Sequence, residues 1–170
     1  MATVNTKSTI VTNADATPPV MTNNNISGGR LRLAKGTVAV AAADDDASTF
    51  RICRIPAHCV VDSIYVASDA LSTGASYAFG VYRTAADGAA AVDADVWADA
   101  VDLSAAVAKT AITYEKTATD ISKVEQPIWQ LAGVSASPTP GTMYDVVATA
   151  TAAGTAAGDI TVWVYYTDGT

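Results

Sequence analysis

Three residues with reactive side chains lie within one short stretch of the chain, FRICRIPAHCVV, residues 50–61. Cys53, His58 and Cys59 include both cysteines and the only histidine of the sequence. Thiolate and imidazole are ligands that zinc prefers, and a thiol beside an imidazole can act as a nucleophile. The stretch is therefore either a site for chemistry or a structural corner where two strands meet.

The spacing of these residues argues against chemistry. Structural zinc sites are usually built from two close pairs of ligands, and the chain has no further cysteine or histidine. His58 is too near both cysteines in sequence for the geometry of a catalytic pair. A Cys53–Cys59 disulfide stays open as an alternative, although a cytoplasmic product keeps its thiols reduced. We predict a corner at Pro56 with two small core thiols and an exposed His58, and no metal, cofactor or enzymatic activity.

Two groups of carboxylates are further candidates for a site. Asp44–Asp46 could bind a hard cation, but adjacent side chains on an extended segment point alternately apart, and the glycine of a calcium loop is absent. Asp93, Asp95, Asp99 and Asp102 could supply paired carboxylates for acid and base catalysis. We interpret the first group as a solvated hairpin turn and the second as the cap and wet face of a helix.

A basic segment follows a glycine pair. Gly28 and Gly29 precede Arg30, Arg32 and Lys35, and their spacing matches no phosphate-binding loop. This pattern indicates a hinge followed by a positively charged strand. Its functional interpretation is a contact with an acidic partner surface.

Composition limits the possible partners. A chain of 170 residues fits one domain, and its net charge of −7 argues against binding to a phosphate backbone, which needs lysine and arginine. No apolar run approaches the ~18 residues of a membrane span, and the polar start lacks the features of a signal peptide. We therefore expect no nucleic-acid or membrane partner, and a protein made in a cytoplasm.

From Leu31 onward, apolar residues recur at every second position in short runs separated by turn residues. This alternation is typical of strands. About eight strands are predicted, at residues 31–40, 50–55, 60–67, 76–82, 110–115, 127–131, 142–149 and 160–166. This number favours an all-β fold, an antiparallel β-sandwich of the jelly-roll kind.

One segment departs from this pattern. Residues 93–108 contain good helix formers, with Val96, Trp97, Val101 and Leu103 near helical spacing. They predict one or two short helical turns.

The first 30 residues differ in composition from the rest, being rich in Thr, Asn, Ser and Ala. We predict an extended or flexible N-terminal arm at residues 1–30 and a β-sandwich domain at residues 31–170. A passive disordered tail is the alternative. Scattered aliphatic residues could instead dock on a partner as strand segments, and these are Ile10, Val11, Val20 and Met21.

Large aromatic residues are numerous for so alanine-rich a chain. They are Tyr65, Tyr77, Tyr82, Trp97, Trp129, Trp163, Tyr165 and Tyr166. A core or a subunit interface would bury them, whereas a carbohydrate-binding platform would expose several on one face. We favour core and interface.

Three segments together resemble small structural proteins of tailed bacteriophages. They are FRICRIPAHCVVDSIYVASDALSTGASYAFGVYRT, DADVWADAVDLSAA and the closing GDITVWVYYTD, and the resemblance covers roughly residues 49–167. It implies a jelly-roll or related sandwich that assembles as a homotrimer, binds the major capsid protein and decorates the capsid surface of the virion. It assigns no role to Cys53 or Cys59, which its pattern does not require.

These inferences favour a capsid decoration or cement protein. The residues expected to contact the capsid or another partner are Ile10, Val11, Val20, Met21, Arg30 and Arg32. The competing hypothesis is a carbohydrate-binding or adhesive sandwich associated with a phage tail or virion surface. An enzyme is a distant third.

Overall fold

Eight strands in two antiparallel sheets make up the body of the computed structural model, which describes residues 6–116 and 121–168. The strands are β1 (Arg30–Val40), β2 (Thr49–Pro56), β3 (Val60–Ser68), β4 (Ser76–Arg83), β5 (Ala91–Asp102), β6 (Val107–Ala111), β7 (Met143–Ala152) and β8 (Gly158–Asp168). The short helices are α1 (Thr9–Ala14) and α2 (Ile128–Leu131), with 3-10 turns at Ala85–Asp87 and Ile121–Lys123. The predicted all-β sandwich is confirmed.

Strand pairing follows the path of one long hairpin that has been rolled up. The pairs β1 with β8, β2 with β7, β3 with β6 and β4 with β5 are those of a hairpin whose turn joins β4 to β5. Two further pairs, β3 with β8 and β4 with β7, complete the sheets. Sheet I has the order β1-β8-β3-β6, and sheet II has the order β2-β7-β4-β5. This order is that of a jelly roll.

The core lies between the sheets, and β8 shows most clearly the alternation of buried and outward side chains that builds it. In β8 the side chains of Ile160, Val162 and Val164 are fully buried, whereas Trp163 and Tyr165 face outward. The predicted alternation of this strand is confirmed.

The segment of residues 50–61, which contains both cysteines and His58, forms a corner between the sheets. β2 ends at Pro56 in sheet II and β3 begins at Val60 in sheet I. The backbone N–H groups of Ile128 and Trp129, at the start of α2, donate hydrogen bonds to the carbonyls of Cys59 and Ala57 at 2.9 and 3.2 Å. The predicted corner is confirmed, and α2 satisfies its backbone groups.

The prediction of helical turns at residues 93–108 is wrong. This segment covers most of β5, the loop that follows it and the first two residues of β6. β5 pairs with β4 through repeated shifts of register, and it buries the adjacent residues Val96, Trp97 and Ala98. Because bulges break the period of two, the segment resembles a helix in sequence. Burial of Trp97 in the core outweighs the helix propensity of the alanines.

Two predicted strands also differ from the structure. Residues 127–131 form the single turn α2 rather than a strand, because their first N–H groups bind the corner carbonyls. The strand predicted at residues 110–115 begins earlier, as β6, and ends at Ala111.

The described part of the N-terminal segment is hydrogen-bonded to the sandwich through Asn25. Asn25 donates a side-chain hydrogen bond to the His58 carbonyl at 3.0 Å, and its own carbonyl accepts one from the Thr167 hydroxyl at 2.6 Å. Residues 1–5 of the predicted arm lie outside the described residues. The division into an arm of residues 1–30 and a sandwich of residues 31–170 stays a prediction, and β1 begins at Arg30.

Gly80 provides a test of the close approach of β5 to β4. β5 bulges over this residue so closely that an added Cβ would lie 2.2 Å from the Asp93 carbonyl oxygen. We expect Gly80→Ala to lower the free energy of unfolding by about 2 to 3 kcal/mol, because backbone must move to admit the methyl group. Urea unfolding followed by circular dichroism measures this change. The control Ala39→Val adds atoms at an exposed strand position and should stay within about 0.5 kcal/mol of the parent. If Gly80→Ala is as stable as the parent protein, β5 does not approach Gly80 as closely as described.

Candidate interaction surfaces

The two cysteines are free thiols rather than parts of a reactive site, and Cys53 is half-buried whereas Cys59 is fully buried. Cys59 has no exposed surface, and burial raises the pKa of its thiol, with a smaller contribution from Asp168. Burial, and then the charge of Asp145, raises the pKa of Cys53 to about 12. Thiols that stay protonated are poor nucleophiles and poor metal ligands. The structure describes no disulfide between them.

His58 lies against its neighbours instead of standing free. Its ring nitrogen Nε2 is 3.2 Å from the Ser137 hydroxyl, and its ring centre is 6.4 Å from that of Trp129. The prediction of an exposed His58 is wrong, since the side chain is half-buried. Among the described residues no group of three or more His, Cys, Asp or Glu side chains could hold a metal ion.

The three consecutive aspartates close a loop by hydrogen bonding to backbone. Asp44 accepts a bond from the Ala41 N–H at 2.7 Å, and Asp46 accepts one from the Ala153 N–H at 2.6 Å. The predicted hairpin turn is wrong, because β1 and β2 belong to different sheets and the loop crosses between them. These carboxylates stabilise the crossing loop.

An ion-pair network joins one buried carboxylate to two partly exposed arginines on the outer face of sheet II. Asp145, which is 5% exposed, accepts hydrogen bonds from Arg51 at 2.7 Å and Arg54 at 2.6 Å. Arg51 also donates to the carbonyls of Arg83 and Ala89 at 2.9 Å, so it joins β2 to the loop between β4 and β5. Burial by itself raises the pKa of the Asp145 carboxyl, but hydrogen bonds and charge from Arg54 and Arg51 bring it below its usual value.

The sequence alone did not predict this network. The available signal is one carboxylate within an otherwise uncharged strand, MYDVVATATA. A buried charge requires a partner, and β2 is the neighbouring strand that carries two arginines.

Aromatic and cationic side chains cover the outer face of sheet I. The ammonium of Lys109 lies 4.7 Å from the ring centre of Tyr65 and 5.2 Å from those of Trp163 and Tyr165. Lys35 reaches the Trp163 ring from the other side of β8, at 5.1 Å. These are cation–π contacts, and they bring the protein's own lysines against the rings.

The carboxylates of β5 lie at the edge of sheet II. Asp95 accepts a hydrogen bond from Lys116 at 2.8 Å, and Asp99 and Asp102 are exposed. Burial and a hydrogen bond with Asp95 raise the pKa of Asp93, whereas hydrogen bonds to Asp93 and Lys116 lower that of Asp95. The helical cap and wet face predicted for these residues are wrong, since they are residues of a strand.

The predicted arm residues fall into two groups. Ile10 and Val11 belong to α1, where Ile10 faces a groove of about 360 Å³ that Ile26 and Tyr114 also line. Val20 and Met21 follow α1 and are 54% and 88% exposed. Their assignment to partner binding stays a prediction.

Arg30 and Arg32 are the first charged residues of β1. Arg32 lies 3.4 Å from the carboxylate of Asp168, while Arg30 has no charged partner among the described residues. Leu31 and Leu33 alternate with them and are 60% and 50% exposed. The start of β1 therefore presents charge and apolar surface together.

No protein-family model and no curated protein matches the sequence. In the described part of the chain, no helix is long and apolar enough to cross a membrane. The fold defines the class of protein, a two-sheet jelly roll.

Two solved structures share this fold. A chain of the structure titled "Cyanophage Pam1 capsid asymmetric unit" matches with a TM-score of 0.53 and 17% identity, over 82% of this chain and 85% of that one. A chain of "Capsid of Ralstonia phage GP4" matches with a TM-score of 0.57 and 14% identity, over 84% of this chain and 86% of that one. The fold implied by the resemblance to phage structural proteins is thereby confirmed.

The Asp145 network predicts a dependence of stability on pH. A carboxyl whose pKa is lowered by folding stabilises the native state above its unfolded pKa of about 3.9, and that contribution is lost as pH falls through the folded pKa. We expect Asp145→Asn to cost about 2 to 4 kcal/mol at pH 7 and less at pH 3, since each pH unit below about 3.9 removes at most about 1.4 kcal/mol of the contribution. Urea unfolding at the two pH values measures the difference. The control Asp62→Asn changes an exposed carboxylate and should have little effect. A pH-independent loss at Asp145 would argue against the ion pairs.

The buried thiols predict low reactivity. We expect both cysteines to react with an aromatic disulfide reagent much more slowly in native protein than in urea, and two thiols per chain to react once it unfolds. The double variant Cys53→Ser, Cys59→Ser should fold, with a loss of about 1 kcal/mol per site. Stoichiometric zinc in the purified protein, or rapid labelling of native thiols, would contradict this interpretation.

Proposed function

We propose that this chain is a structural protein of a tailed-phage virion that decorates the capsid. The observation that carries the proposal is the jelly roll shared with chains of two phage capsid structures over more than four fifths of this chain. The finer form of the proposal is a homotrimer that binds the major capsid protein at the head surface and cements neighbouring capsomers. It is not an enzyme but acts through its contact surfaces.

Jelly rolls also occur in lectins, so the fold alone does not distinguish capsid decoration from carbohydrate binding. The surface residues provide the distinction. A sugar would stack on an open aromatic ring. The ring of Trp163 is in contact with Lys35 and Lys109, and Trp129 is half-buried beside His58. These contacts favour capsid decoration over the carbohydrate-binding alternative.

The N-terminal arm suits attachment to a repeating surface. Asn25 fastens it to the sandwich, while Val20 and Met21 stand exposed outside the core. In the proposal these two residues, together with Ile10 and Val11, contact the capsid. A trimer presents three arms at high effective concentration, so individually weak contacts add to strong attachment.

Virion composition is the direct test of the proposal. We expect the protein in purified particles of the phage that encodes it, at a copy number comparable to that of the capsid lattice positions. Quantitative mass spectrometry, calibrated against the major capsid protein, measures that number. Absence from the particle would refute a virion role, and a few copies per particle would point to the tail.

The arm can be tested without disturbing the sandwich. We expect the variant Val20→Ser, Met21→Ser to keep its thermal midpoint, because both side chains are exposed, and to bind bare capsids at least tenfold more weakly. Deletion of residues 2–22, which spares Asn25, should have an equal or larger effect. The control Ala105→Ser changes an exposed residue outside the arm, in the loop between β5 and β6. If both arm variants saturate capsids as the parent does, the sandwich itself is responsible for binding.

A further inference from the structure

Two edge strands of the sandwich carry side-chain charges of a single sign, and the two signs are opposite. β1, at the edge of sheet I, carries Arg30, Arg32 and Lys35 and no carboxylate. β5, at the edge of sheet II, carries four aspartates and no cation. The basic edge thus belongs to a chain whose net charge is −7.

These two edges lie on opposite sides of the sandwich. β1 contacts β2 across the core, and β2 and β5 are the two ends of sheet II. A strand at one side of the molecule is therefore basic and a strand at the other side is acidic.

The basic edge is also open at its beginning. β1 pairs with β8 on one side only, so the backbone groups of its other side are available to another chain. β2 closes the later part of this edge at Gly36, where an added Cβ would lie 2.0 Å from the Ile52 carbonyl oxygen. The open part is residues 30–35, where Leu31 and Leu33 add exposed apolar surface.

We propose that the β1 edge of one copy binds the β5 edge of the next copy, with Arg30 and Arg32 facing Asp99 and Asp102. Contact between two β1 edges would bring like charges together, so a symmetric pair through this edge is disfavoured. A head-to-tail contact joins unlike charges, and it closes into a ring when the rotation between copies allows. The inference rests on the proposed homotrimer and specifies which surfaces join its subunits.

Charge reversal of the purified full-length chain tests this contact. We expect the parent to be an oligomer by light scattering, with a mass that is a multiple of 17.3 kDa. Arg30→Glu with Arg32→Glu, or Asp99→Lys with Asp102→Lys, should weaken association at least tenfold, and the four changes together should restore it. Association of the parent should weaken as salt rises from about 0.05 to about 0.5 M, because the charges lie at the surface.

Controls separate the contact from damage to the fold. Arg32 pairs with Asp168, so Arg30→Glu alone serves as the variant that leaves internal ion pairs intact. Arg83→Glu reverses an exposed arginine at the end of β4 and should leave the mass unchanged. Circular dichroism establishes that each variant is folded.

A monomeric parent, or a folded Arg30→Glu, Arg32→Glu variant that associates normally, would overturn the inference. Failure of the four-change variant to associate, when both pairs of changes disrupt the oligomer, would show that the two edges do not face each other. These outcomes are independent of virion composition. A protein found abundantly in particles whose association ignores these charges would retain the proposed function and lose the proposed contact.

Discussion

Almost every connection in this protein crosses from one sheet to the other, and the rest of the structure depends on that constraint. Among the eight described strands, only β4 and β5 are joined by a connection that stays within one sheet. Each crossing needs a corner whose backbone groups are satisfied away from the strand ladders. α2 serves the corner after Pro56, and Asp44 and Asp46 serve the loop between β1 and β2. The residues that resembled reactive sites are largely those that hold the crossings.

The sequence predicts the strands whose two faces differ clearly. β8 alternates between buried aliphatic residues and outward Thr161, Trp163 and Tyr165, and this pattern has one interpretation. β5 does not alternate, because it bulges over Gly80 and buries three consecutive residues. No local pattern shows that a glycine on another strand requires this bulge. The helix was predicted there from the helix propensity of the residues, but packing against the core makes the segment a strand.

The candidate surfaces were predicted only in part, because their local charge is visible in the sequence whereas their position in the fold is not. The basic character of Arg30 and Arg32 is visible in sequence, but that they lie on an open edge opposite an acidic one follows only from the strand order. The Asp145 network joins residues far apart in the chain, so its pairing required the structure. Lys35 and Lys109 reach Trp163 from strands on either side of β8. The residues next to Trp163 in the sequence do not predict these contacts.

The position of β8 also bears on how the molecule is made. β8 lies in the interior of sheet I, between β1 and β3, and places Asp168 opposite Arg30. Sheet I therefore cannot form on a growing chain until β8 has been synthesised. Pairing between segments so distant in sequence is slow, and β1 stays without its partner strand until β8 is available. A chain that stops before β8 therefore has no complete sheet I to present to a partner.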